Sequence, residues 1–119
     1  MSVCVLFEVN VANGRQEEYL ARAASLKGSL AQAEGFIRSE RFESLVQPGK
    51  LLSLSIWETE EAMAAWRNLE AHRLCQEAGR DGVFDSYSIT VLSPVRTYGM
   101  DDRAQAPADS NKRFDVEHG

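Results

Sequence analysis

The chain has 119 residues, 44% of them hydrophobic and 26% charged, with a formal net charge of −5. That length supports one domain with a single core and excludes two, and the composition is that of a soluble globular protein. Lys and Arg are scattered within an acidic balance, so no nucleic-acid partner is expected. No apolar run reaches bilayer-spanning length and no basic-then-apolar segment follows Met1, so the expectation is a cytoplasmic protein without membrane contact.

In chain order, Val3, Val5, Phe7, Val9 and Val11 alternate strictly and predict a first strand, which Asn13-Gly14 ends. From Arg15 to about Gln32 the apolar positions Tyr19, Ala23, Leu26 and Leu30 recur at helical spacing. Glu17 and Glu18 suit the positive end of that helix's dipole, and Gly28 is where a bend is expected. Phe36 to Ser44 reads as a mixed polar strand. Gln47-Pro48-Gly49 is a turn signal, so Lys50 to Glu58 should close a hairpin with it.

Thr59 can cap the next helix, which would bury Ala62, Met63 and Trp66. Asn68 can cap a second helical piece carrying His72, Cys75 or Gln76, and Gly79. The last strand is expected from about Phe84 to Arg96, with Tyr87, Ile89, Val91 and Val95 on one side. Cys4 on a strand and Cys75 on a helix read as reduced core residues rather than a disulfide or metal pair. His72 and His118 lie too far apart in sequence to suggest a metal site.

The order strand, helix, strand, strand, helix, strand predicts an α+β, ferredoxin-like βαββαβ antiparallel sheet with both helices on one face. The domain should occupy 1–98, leaving a polar tail over 99–119 that is either disordered or laid across a partner subunit. The first and third strands are apolar in both registers: Cys4 and Leu6 oppose Val3, Val5 and Phe7, while Leu52, Leu54 and Ile56 oppose Leu51 and Trp57. A sheet apolar on both faces needs cover on both, and a face-to-face homodimer supplies it.

The segment from Ser55 to Tyr87 carries a resemblance. Ser55-Ile56-Trp57-Glu58 closes the hairpin, followed by Glu61-Ala62, Trp66-Arg67, His72-Arg73, Gln76, Gly79-Arg80, Phe84 and Tyr87; Glu34-Gly35-Phe36 enters the hairpin. Over residues 3 to 96 this pattern resembles the antibiotic biosynthesis monooxygenase domain. The resemblance implies a dimeric α+β barrel with a pocket between each subunit's sheet and helices. It also implies a monooxygenase without a cofactor, acting on a hydrophobic electron-rich aromatic (a phenol, quinol or anthrone) with dioxygen. In such chemistry the deprotonated substrate itself supplies electrons to dioxygen, and the protein provides an apolar pocket and polar groups for the oxyanion.

Carried onto this chain, the resemblance makes Trp66, His72, Arg80 and Tyr87 the catalytic candidates. Trp66 would pack on the substrate ring, His72 would assist proton transfer, and Arg80 or Tyr87 would hold the oxyanion. Phe7, Phe36, Gln76 and Phe84 would line the pocket. Each has a plainer reading: Trp66 as a core anchor, His72 as a helix brace, Arg80 as a solvated helix-end cation, Tyr87 as a core residue with a backbone partner. Trp57 is expected in dimer or helix packing. The haem-degrading branch of the superfamily would need an Asn where Phe7 stands and a His where Gln76 stands, so that reading ranks last. A dimer that only binds a small apolar ligand is the alternative from outside enzymology.

Overall fold

In a computed structural model the structure describes residues 2–69, 73, 76–77 and 79–112. Four strands, β1 (Val3–Val11), β2 (Phe36–Glu43), β3 (Lys50–Trp57) and β4 (Phe84–Leu92), form one sheet in the order β2-β3-β1-β4. All neighbouring strands are antiparallel. With the helices α1 (Gln16–Ser25), α2 (Lys27–Ala31) and α3 (Glu60–Arg67), this is the ferredoxin-like α+β fold the element order predicts.

The register decides which face each residue occupies. Val9 pairs with Leu51, Phe7 with Ser53, Val5 with Ser55 and Val3 with Trp57. Tyr87, Ile89 and Val91 on β4 join the same face through Val9, Phe7 and Val5. Phe36, Ser39 and Arg41 join it from β2. The helices cover this face in two separate places. Tyr19 of α1 packs with Val9, Val11, Leu51 and Val83; Met63 and Trp66 of α3 pack with Val3 and Trp57. The core is therefore split between the two ends of the sheet, and Trp57, 1% exposed, anchors one end.

Local chemistry sets the boundaries. Thr59 caps α3, its hydroxyl accepting from the Ala62 amide at 3.1 Å. Asn68 ends α3, its side-chain amide donating to the Ala64 carbonyl at 3.0 Å. The first helical region breaks at Leu26 and not at Gly28. Just before the break the Ser25 hydroxyl donates to the Arg22 carbonyl at 2.6 Å, the kind of back-bond that competes with the helix ladder. The last strand stops at Leu92, short of Arg96, because Pro94 has no amide to continue the ladder.

Gly35 is held at φ +78, and its carbonyl accepts from the Glu58 amide at 2.7 Å. A Cβ there would meet the Ala62 Cβ at 2.5 Å, so α3 lies directly on this turn. Beyond β4 the described chain is organised around Arg103. Its guanidinium donates to the Gly99 carbonyl, the Ser110 hydroxyl and the Asn111 side chain, and lies 5.2 Å from the centre of the Tyr98 ring. Val95 and Met100 remain exposed.

Candidate functional site

Two core clusters at opposite ends of a sheet leave the middle to be filled, and here it is not filled. The central positions of β3 on the helix side are Ser53 and Ser55, with Ser39 beside Ser55 on β2. Leu51 and Trp57 are six residues apart, about 20 Å of strand, and only small side chains lie between them. The helices rest on the large residues at each end and stand off the serines. The result is a cavity of about 460 Å³, within the range of small-molecule sites.

Tyr19, Ala23, Leu26 and Leu30, the helical stripe read from the sequence, form the roof, with Met63 and Trp66 from α3. Val5, Phe7, Ile89 and Val91 supply much of the floor. One end is aromatic. The Phe7 ring lies 5.8 Å from Phe84 and 5.5 Å from Tyr87, while Tyr19 lies 5.2 Å from Phe84. These offset and edge contacts are the favoured geometry for aromatic side chains.

Phe84 reaches this cluster through an irregularity in pairing. Asn10 pairs with Ser86 but Val11 pairs with Phe84, so the register shifts by one residue at Asp85. Simple alternation would place Phe84 with Ser86 and Ser88 on the other face; the bulge turns it toward Tyr87. At the opposite end the Trp57 and Trp66 rings lie 6.3 Å apart, and Phe36 stands against Trp57 at 5.4 Å. The Trp57 indole N–H donates to the Ser55 hydroxyl at 3.0 Å, which fixes the ring at the edge of the cavity.

Of the residues singled out in the sequence, Trp66, Tyr87, Phe7, Gln76 and Phe84 share this one cavity. Phe36 does not reach its wall and instead backs Trp57. Arg80 is exposed on the turn Gly79–Val83 and is also absent from the wall. His72 lies outside the described residues. Sequence reasoning gave no place to the cations that do line the cavity, Arg22, Arg41 and Arg67, nor to its serines. Trp57 packs on a helix as expected but lines the cavity too. The serines were legible in principle: Leu51, Ser53, Ser55 and Trp57 alternate with Leu52, Leu54 and Ile56, so β3 turns its more polar face toward one side.

Arg22 is held by Glu18, which also binds Arg15 bidentately at 2.8–3.0 Å. Hydrogen bonds from Arg15 and then Arg22 hold the Glu18 carboxyl below the usual carboxylate value. Arg41 instead lies over the Tyr19 ring, 5.5 Å from its centre. Among the described residues no group of three or more His, Cys, Asp or Glu is placed to hold a metal ion. None of the described helices is long and apolar enough to cross a membrane.

A four-stranded antiparallel sheet carrying helices on one face, with an aromatic cavity between them, defines a ferredoxin-like α+β domain. Residues 2–78 match the family described as antibiotic biosynthesis monooxygenase, and the chain belongs to that family. It is 41% identical over 87 residues, 73% of its length, to a jasmonate monooxygenase ABM of Pyricularia oryzae. The chain spans only 40% of that curated relative. Among solved structures it resembles Rv0793 from Mycobacterium tuberculosis, with TM-score 0.74 and 14% identity, covering 83% of this chain and all of the other. It also resembles SnoaB, a cofactor-independent oxygenase from Streptomyces nogalater, with TM-score 0.70 and 14% identity over 81% of this chain and 95% of that one. At these identities the structural likenesses establish the fold alone.

Proposed function

We propose that this protein is a monooxygenase that oxidises a hydrophobic, electron-rich substrate with dioxygen and draws the electrons from the substrate itself. The observation that carries the reading is the cavity: an aromatic-walled space of about 460 Å³ in a chain of the antibiotic biosynthesis monooxygenase family. An anthrone illustrates the balance. Loss of a proton from its methylene gives a carbanion, which passes electrons to dioxygen and forms a peroxide. Loss of water from that peroxide leaves a carbonyl, so one substrate and one dioxygen give one quinone and one water. No external reductant enters.

In this proposal Trp66 and the Phe7–Phe84–Tyr87 cluster hold the ring system, the Tyr87 hydroxyl donates to the developing oxyanion, and His72 receives the proton. Support for oxygenase chemistry comes from the relatives' named activities, a monooxygenase on jasmonate and a cofactor-independent oxygenase. The homodimer belongs to the same proposal. The sheet's second face carries Leu6, Leu52, Leu54 and Ile56 on its central strands, with Arg38 and Glu40 on the β2 edge. An apolar centre flanked by both charges is complementary to itself under a two-fold axis.

The test is oxygen uptake with a quinol and an anthrone panel in the absence of added reductant. One dioxygen consumed per anthrone converted to quinone, with no hydrogen peroxide released and the rate abolished or strongly slowed in His72→Ala, is the expected result. Binding of the same compounds without oxygen uptake would replace the enzyme reading by that of a binding protein.

A further inference from the structure

We propose that the cavity selects an apolar monocarboxylic acid, with its carboxylate on Arg41 and its apolar body against Phe7 and Tyr87. The inference deepens the preceding proposal by naming a substrate class for the same cavity. It begins from charge. The chain as a whole is acidic, at −5, yet among the described residues every charged one in the cavity wall is an arginine: Arg22, Arg41 and Arg67. A wall of one sign, opposite to that of the molecule, favours a ligand of negative charge.

The three arginines are not equivalent. Arg22 is engaged by Glu18. Arg67 ends α3, where a cation is already stabilised by the helix dipole. Arg41 has no carboxylate within ion-pair distance among the described residues and is held over Tyr19 by its face alone. Its guanidinium edge keeps the fork of donors that matches a carboxylate bidentately. Arg41 is also exposed, so a carboxylate there stays partly hydrated and escapes the cost of full burial.

The sheet supplies the rest. Arg41 pairs with Ser53, Ser53 with Phe7, and Phe7 with Ile89, in one row across the strands. Strand spacings of about 4.8 Å put the Arg41 backbone about 10 Å from that of Phe7 and about 14 Å from that of Ile89, and the Arg41 guanidinium reaches inward from there to Tyr19. Ser39 and Ser53 add hydroxyl donors at the Arg41 end, while Phe7, Phe84 and Tyr87 make the other end aromatic. A ring joined by a few carbons to a carboxylate spans that gradient from apolar to cationic. A neutral ligand of the same shape would satisfy only one end.

The experiment titrates the full chain with 4-phenylbutanoic acid and with its isostere 4-phenyl-1-butanol at pH 7, under nitrogen, following the fluorescence of Trp57 and Trp66. The acid is expected to bind at least tenfold more tightly than the alcohol. Arg41→Gln should remove that preference while leaving the alcohol's affinity unchanged, and Arg67→Gln should keep it. Equal affinity of acid and alcohol for the wild-type protein overturns the proposal. So does an acid preference that survives Arg41→Gln, or a variant that loses the alcohol as well. Because the titration involves no oxygen, its failure leaves the oxygen-uptake test standing, and the reverse also holds.

Discussion

Replacing Ser53 by Leu tests whether the space over the middle of the sheet is real. Ser53 lies between Phe7 and Arg41 in the register and lines the cavity. Leucine brings three carbons in place of one oxygen. At about 0.8 kcal/mol per buried CH₂, complete burial would contribute roughly 2.4 kcal/mol. The cavity is open along β4, where Tyr87 is 57% exposed, so about half of that, roughly 1.2 kcal/mol, is the expected gain. For a domain of this size the midpoint of thermal unfolding should rise by about 5 °C. The new side chain also occupies the centre of the ligand space, so affinity for 4-phenylbutanoic acid should fall at least tenfold. Thermal unfolding followed by circular dichroism and the fluorescence titration read the two effects together. A lowered midpoint with unchanged binding would refute the reasoning, because it would mean that the helices already pack against the serines and that the larger side chain is forced into a closed core.

Trp66→Ala should cost about 3–5 kcal/mol in urea unfolding, since the ring is buried against Trp57, Met63 and Val3; a loss below about 1 kcal/mol would contradict that packing. Gly35→Ala should destabilise by roughly 2 kcal/mol or more, from its left-handed backbone and the 2.5 Å approach to Ala62; an unchanged melting midpoint would mean that α3 sits elsewhere. Leu54→Asp places a charge in the centre of the sheet's second face and should convert a dimer to a monomer in sedimentation velocity; an unaltered oligomeric state would place any interface elsewhere. Glu18 titrates below its ordinary value in the folded chain, so its contribution is fully present above about pH 4.5 and is lost as the pH falls through the lowered value. Glu18→Gln should therefore unfold at lower urea than wild type at pH 7, and the two curves should converge in strong acid; a gap that widens with acidity would reverse the assignment.

What the sequence settled by itself was the path of the chain. Alternation in β1, the turn at Gln47-Pro48-Gly49 and the cap at Thr59 are local, and local backbone preferences fixed the same elements in the structure. Trp66, Phe7 and Tyr87 were named as candidates through the family resemblance, and the period of their regular elements gave their facing. The tertiary structure decided what the period could not. The bulge beside Asp85 moved Phe84 to the cavity face, and only pairing with β1 reveals such a shift. The break at Leu26 falls beside the Ser25–Arg22 side-chain bond, whereas helix propensity pointed to Gly28. Above all, the cavity exists because Ser39, Ser53 and Ser55 from two strands meet between two distant core clusters. Alternation places Ser53 and Ser55 with Leu51 and Trp57 on one face of β3, but only the register with β2 brings Ser39 beside them. Arg41 became visible in the same way, as an exposed cation on a polar strand that the fold sets across the sheet from an aromatic wall.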